Sequence, residues 1–173
     1  MEPSPSESTI VLGWADESHT HPALQVRFLA ANGAPSGHSA GLVAVELQLS
    51  ADSAAFETSL LCFGCDIKDF ADRLEELHDR LEGSARFVNQ EGSIQIEVSV
   101  ADWSRGRLAV GLQIELIPVD WEAPIAGLLE KPGGRFVLDG LVLEQSYLPD
   151  IIQQMRSFVR DAGISTVHPM AAN

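Results

Sequence analysis

Two segments between residues 93 and 116 alternate between apolar side chains and small or polar ones. A period of two is typical of a β-strand with one buried face and one solvated face. The turn-forming stretch 102–106 is too short for a parallel crossover, so the strands are predicted to be antiparallel neighbours, with Gly106 at positive φ. Such a sheet needs another layer over its apolar face. The apolar positions are Ile94, Ile96, Val98, Val100, Leu108, Val110, Leu112, Ile114 and Leu116.

More strand-like segments lie on both sides of this pair. Phe87 begins a run that turns at Asn89–Gly92, so residues 87–116 are predicted to form a three-stranded meander. In the segment 136–143, Asp139-Gly140 interrupts both possible alternations, which leaves the register open and favours a β-bulge. The other predicted strands cover residues 9–14, 24–28, 43–49 and 56–63.

Two segments, 66–82 and 148–162, have the helical period instead. Asp66 is predicted to cap the first helix and Gly83 to end it. Pro149 suits the first turn of the second helix, and Gly163 its end. The buried stripes are predicted to be Ile67, Phe70, Leu74, Leu77 and Leu81 in the first helix, and Leu148, Ile151, Ile152, Met155, Phe158, Val159 and Ala162 in the second.

These elements predict a single α+β domain at residues 9–163, mainly an antiparallel meander sheet with two amphipathic helices packed on it. Residues 1–8, rich in Pro, Ser and Glu, are expected to be a disordered tail, and residues 164–173 a loose tail. No apolar run is long enough to span a bilayer, and the N-terminus lacks a secretory pattern. A cytoplasmic location is therefore expected.

The chain is strongly acidic, with a formal net charge of −14. This charge repels nucleic acid and anionic lipid and favours a basic protein partner, although solubility alone also accounts for it. On the solvated face of a helix, carboxyl pKa values are hard to perturb, so partner binding is expected there and catalysis is not. The solvated face of the meander is an equal alternative for partner binding. The densest predicted acidic surface consists of Asp72, Glu75, Glu76 and Asp79.

Cys62 and Cys65 form a CxxC motif between a predicted strand and the first helix. A thiol-redox role is the alternative interpretation of this motif. It is disfavoured because Cys62 falls in the strand pattern and because Asp66, next to Cys65, opposes a thiolate. No second cysteine pair completes a zinc site, and His19 and His21 lack a third ligand, so neither a metal nor a cofactor is expected.

Residues Gly37–Gly41 match the G-x-S-x-G pattern of serine hydrolases. In those enzymes the serine lies on a tight turn from a strand into a helix. Here a loop precedes the motif and the alternating strand at 43–49 follows it. A hydrolase is therefore not expected, and the chain is predicted not to be an enzyme.

Several motifs from Phe63 onward resemble those of the WapI family of bacterial immunity proteins. The family pattern joins an acidic D-x-x-x-F-x-x-x-L helix ending in glycine, a meander with a glycine turn, and a strand that runs into D-Q-S-Y-L-P and an amphipathic helix. Glu144 stands where the family commonly has Asp. The matching residues are Asp66, Phe70, Leu74, Leu77, Leu81 and Gly83; Asp102, Gly106, Arg107 and Leu108; and Gln145-Ser146-Tyr147-Leu148-Pro149 with Ile151, Ile152, Gln154 and Met155.

This resemblance implies a protein that binds and neutralises a cognate toxin made by the same cell. In the family the toxin is typically a contact-delivered nuclease that acts on RNA. An acidic inhibitor suits a basic nuclease. The implied mechanism is steric and electrostatic occlusion of the toxin, without a chemical reaction. The alternative class is an uncharacterised cytoplasmic α+β domain that binds a small molecule or another protein.

Overall fold

The computed structural model describes residues 7–15, 22–30, 41–51, 54–89, 92–115, 135–164 and 166. Two helices, α1 (Gly64–Arg80) and α2 (Leu148–Asp161), accompany short 3-10 turns at Trp103–Arg105 and Gln145–Tyr147. None of these helices is long and apolar enough to cross a membrane. The strands are β1 (Glu7–Trp14), β2 (Pro22–Ala30), β3 (Leu42–Ala51), β4 (Ala54–Phe63), β5 (Ser84–Val88), β6 (Ile94–Asp102), β7 (Arg107–Glu115) and β8 (Arg135–Glu144).

The eight strands form one antiparallel sheet in the order β4-β3-β2-β1-β8-β7-β6-β5. The chain runs outward from the centre through β1 to β4, passes through α1 to the opposite edge, and returns inward from β5 to β8. β1 and β8 meet at the centre, where Trp14 is opposite Val142. The predicted α+β fold is confirmed, and β5 to β7 form the expected three-stranded meander.

Both helices pack on the same apolar core as the sheet. Alternate residues of every strand are buried in one cluster together with the apolar stripes of α1 and α2. The ring of Phe158 in α2 lies 5.6 Å from that of Phe28, and the ring of Phe70 in α1 lies 5.7 Å from that of Phe87. Removal of these apolar faces from water is the main force that holds the two layers together.

The register of β8 is set by a bulge at Asp139-Gly140, as the interrupted alternation suggests. Val110 pairs with Leu141 and Leu112 with Leu138, so two residues of β8 oppose the single residue Gly111. Gly140 has a φ of 90°, which a side chain would disfavour. A Cβ at position 111 would lie 2.9 Å from Asp139 Oδ1, so a larger residue there would require this exposed side chain to move.

The ends of α1 differ from the prediction. The helix begins at Gly64, and Asp66 occupies its third position, where the carboxylate accepts a 2.9 Å hydrogen bond from the Phe63 N–H. Gly83 does not end α1: Leu81 adopts the left-handed conformation, with a φ of 53°, and donates its N–H to the Leu77 carbonyl. The prediction from Gly83 was wrong: the helix ends two residues earlier, at a non-glycine residue whose left-handed conformation has an energetic cost.

The end of α2 and the β6–β7 turn follow the prediction. Gly163 has a φ of 61° and donates to the Arg160 carbonyl, and Ile164 donates to the Val159 carbonyl. These are the two bonds of a Schellman motif. Gly106 has a φ of 64° and closes the turn between β6 and β7.

Candidate functional site

The four candidate carboxylates lie on the outward face of α1. The opposite side of the helix is buried against the sheet, so the helical period directs these four side chains away from the core. All of them are substantially exposed, and we call them the acidic face: Asp72, Glu75, Glu76 and Asp79.

Arg156 of α2 joins two members of this face. Its Nη2 lies 2.6 Å from Asp72 Oδ1 and 2.8 Å from Glu75 Oε2, while its Nη1 lies 2.9 Å from Glu75 Oε1. Lys68, one turn before Asp72, adds a 2.6 Å contact between its Nζ and Asp72 Oδ2. A forked guanidinium held by two carboxylates fixes the relative position of the helices more firmly than a single ion pair would.

These contacts change the acidity of the groups involved. Hydrogen bonds from Lys68 and then from Arg156 lower the pKa of Asp72 below its ordinary value. Arg156 likewise lowers the pKa of Glu75, and the two carboxylates raise the pKa of Arg156. At neutral pH all of these groups are therefore ionised, and much of the negative charge at this end of the face is compensated.

The other end of the acidic face is less compensated. Glu76 pairs with Arg80 along the helix at 2.9 Å, a contact that water screens. Asp79 is 70% exposed, and its ion-pair contact is with His78, 3.3 Å away. The most available negative charge of the four therefore lies at Asp79, near the C-terminal end of α1.

A shallow groove runs between α1 and α2 beside this end. Glu75 and Asp79 line one wall, and Ile152, Arg156 and Ser157 line the other. Carboxylates, a guanidinium and an apolar side chain in one groove suit a protein surface better than a small apolar ligand.

The turn between β6 and β7 lies next to the same end of α1. Gln145 connects them: its backbone N–H donates to the Gly106 carbonyl and its side-chain amide donates to the His78 carbonyl. Asp102 fixes the turn by accepting hydrogen bonds from the N–H and Oγ of Ser104, which lower the pKa of Asp102. Trp103 in this turn is 73% exposed. An exposed tryptophan on a fixed turn is typical of a protein-binding surface.

Neither Trp103 nor Arg156 was predicted from the sequence as part of a site. An apolar residue among the turn formers Asp102, Ser104 and Gly106 was a signal for the first, since nothing in a turn buries it. The position of Arg156 at the border of the apolar stripe of α2 was a weaker signal, because its partners lie on another helix.

The solvated face of the meander offers a different chemistry. Val88, Gln95, Gln113 and Val137 lie side by side across β5 to β8, and the two valines are exposed. The Arg86–Glu97 pair, 3.3 Å apart, supplies both signs of charge. This surface is therefore mixed and mostly neutral, and it attracts a basic partner less than the acidic face does.

Cys62 and Cys65 are both buried and unbonded to each other. Burial raises the pKa of each thiol, and the charge of Asp66 raises it further. A redox cysteine needs an accessible thiolate, so the geometry disfavours the thiol-redox alternative. Within the described ranges, no group of three His, Cys, Asp or Glu residues could hold a metal ion. His19, His21 and residues 37–40 of the G-x-S-x-G motif lie outside those ranges.

A family of known proteins matches most of the chain. No curated protein and no solved structure matches the chain. The sequence model of the Immunity protein WapI-like family matches residues 18–162, a span that contains β2 to β8 and both helices. Since this match covers most of the chain, the protein belongs to the Immunity protein WapI-like family.

Proposed function

We propose that this protein is a non-catalytic immunity protein that binds a cognate toxin and occludes its active site. Its family supports the immunity role. Its net charge of −14 supports a basic toxin, such as a contact-delivered nuclease whose active site holds phosphates. Because a nuclease meets its nucleic-acid substrate inside the cell that receives it, the proposed place of action of the immunity protein is the cytoplasm.

The observation that carries the choice of surface is that Gln145 bonds the end of α1, which carries the exposed carboxylate of Asp79, to the β6–β7 turn, which carries the exposed indole of Trp103. A binding surface combines aromatic anchors that exclude water with charged groups that orient the partner. Asp79 and Glu76 provide the charge, and Trp103 provides the anchor. Arg156 holds Asp72 and Glu75 in place before the toxin arrives, so less side-chain entropy is lost on binding.

Co-expression tests the proposed function. The candidate toxin is the C-terminal domain of a large secreted protein encoded next to this one, produced in a sensitive host with and without the immunity protein. We expect survival only when both are made, and a stable complex of the purified proteins. If cells die equally fast with and without this protein, the immunity role for that pair is wrong.

Charge reversal tests the surface. The double variant Glu76→Arg/Asp79→Arg is expected to weaken toxin binding by about tenfold or more, because like charges then face the basic partner. Glu115→Arg, at the end of β7 opposite the β6–β7 turn, reverses the charge of another exposed carboxylate and is the control. Equal binding by the double variant and the control would move the site away from the acidic face.

A further inference from the structure

Strand β4 leaves one long edge of the sheet without a partner strand. It pairs with β3 along its whole length, from Leu42–Phe63 to Ala51–Ala54, without a bulge. On its other side no strand of the described ranges is hydrogen-bonded to it. An open edge of ten residues is long, since proteins usually shorten, bend or cover such strands to prevent unwanted pairing.

The free backbone groups of this edge can be assigned from Phe63. The Phe63 N–H is bonded to the Asp66 carboxylate and so points away from β3. In an antiparallel ladder the direction alternates with every residue, so the N–H and C=O groups of Leu61, Ser59 and Glu57 also point outward. Among the residues that the structure describes, no group outside the β3–β4 ladder is hydrogen-bonded to them.

The side chains of the same residues are exposed as well. Leu61 is 57% exposed. Glu57 is the only charged residue of β4, and it forms no ion pair with any other residue that the structure describes. Lysine and proline, which commonly protect an edge, are absent from β4. The edge therefore offers main-chain donors and acceptors, one exposed apolar side chain and one exposed carboxylate.

We infer that β4 is a docking edge to which the toxin adds an extended cationic strand. The added strand forms hydrogen bonds with the outward backbone groups of Glu57, Ser59 and Leu61. It also places an apolar side chain against Leu61 and a Lys or Arg against Glu57. A second copy of this chain fits poorly, because it brings another net charge of −14 to the same edge. This inference rests on the proposed function, since the strand belongs to the toxin.

The test uses Ser59→Pro in the full chain. Proline removes an outward N–H without removing a bond to β3, so the fold is expected to survive and the affinity for the toxin domain to fall by about tenfold or more. The matched control is Val88→Pro. The Arg86 carbonyl accepts a hydrogen bond from Arg73 of α1 and therefore points away from β6. Since the direction alternates with every residue, the N–H of Val88 also points outward, at the β5 edge of the sheet. The Val88→Pro variant is expected to bind the toxin domain as tightly as the parent protein does.

Hydrogen exchange on the parent protein gives an answer that does not depend on how any variant folds. On addition of the toxin domain, the amides of Glu57, Ser59 and Leu61 are expected to exchange at least about tenfold more slowly. A tight complex in which these amides exchange unchanged overturns the docking edge and leaves the proposed function standing. If no complex forms, the proposed function fails first. Slower exchange at high protein concentration without toxin would instead identify a second copy as the occupant and overturn the inference.

Discussion

The two edges of the sheet differ in whether another part of the described chain covers them. β5 has five residues, and Nη1 of Arg73 in α1 donates to its Arg86 carbonyl at 3.1 Å. β4 has ten residues, and no described strand or side chain bonds to the outward backbone groups of Glu57, Ser59 or Leu61. Helix α1 connects these strands, yet it covers only one of the two edges. Because α1 packs over β5 and bonds to it, this fold is able to cover an edge strand. The uncovered edge is therefore a property of β4 itself.

Of the variants that test this comparison, Phe87→Ala is expected to lower the free energy of unfolding most, because Phe87 packs β5 against α1. Its side chain is buried and its ring contacts that of Phe70. Truncation of a buried phenylalanine lowers the free energy of unfolding by about 3–5 kcal/mol. Urea unfolding followed by circular dichroism measures this change. Val88→Ala, on the exposed side of the same strand, is the control, with an expected change within roughly 0.5 kcal/mol. Similar values for both variants would mean that β5 is not anchored by its buried face.

Arg156→Ala is expected to have an intermediate effect, because it releases α1, and with it the cover of β5, from α2. Loss of the bonds to Asp72 and Glu75 lowers the free energy of unfolding by about 1 kcal/mol, a small value because water screens these partly exposed groups. Arg160→Ala removes an arginine one turn later whose hydrogen bonds, within the described part of the chain, are to Asp161 and Ser157 of its own helix. It is the matched control, with an expected change below roughly 0.5 kcal/mol. A larger loss of unfolding free energy in Arg160→Ala than in Arg156→Ala, measured by thermal or urea unfolding, would contradict the view that Arg156 stabilises the contact between α1 and α2.

The same pair of proteins should show a defined pH dependence. The folded-state pKa values of Asp72 and Glu75 are lowered from ordinary values of 3.8 and 4.5. Their contribution to stability is therefore present above those values and is lost as the pH falls through the lowered ones. The difference between parent and Arg156→Ala should be constant from pH 7 to pH 5 and shrink below about pH 4. Unfolding curves in which the difference grows at acid pH would rule out these carboxylates as the partners of Arg156.

Arg73→Ala is expected to have the smallest effect, because one exposed hydrogen bond to a backbone carbonyl is lost. We expect a change in unfolding free energy of roughly 0.5–1 kcal/mol and faster amide exchange in β5, with no change in β4. Arg80→Ala, which removes the surface pair with Glu76, is the control. Faster exchange in both edge strands would show that Arg73 acts on the whole sheet and not on one edge.

Much of the secondary structure was predictable from the sequence because each element carries its own period. Alternation gave the strands on both sides of α1, and the helical period gave both apolar stripes, apart from the half-buried Leu81 and Ala162 at their ends. Asp139-Gly140 signalled the bulge, since an interruption of the alternation is itself a local pattern. The end of α1 was mispredicted from Gly83, because the left-handed position was taken by Leu81, whose own sequence gives no such signal.

The candidate site was predictable only in part. Asp72, Glu75, Glu76 and Asp79 were found because helical spacing places them opposite a buried stripe. The division of this face into a compensated half and an available half depends on Arg156, which is more than 75 positions away in the chain. Local spacing contains no information about a partner at that distance.

The sequence by itself determined which residues form strands and helices and which side of each is buried, because the spacing of apolar side chains acts within a few residues. The tertiary structure decided that β1 pairs with β8, that β4 and β5 become the edges, and that Arg156 restrains half of the acidic face. These outcomes depend on contacts between distant segments that compete for the same core. The spacing of residues within one strand does not specify which strand becomes its neighbour.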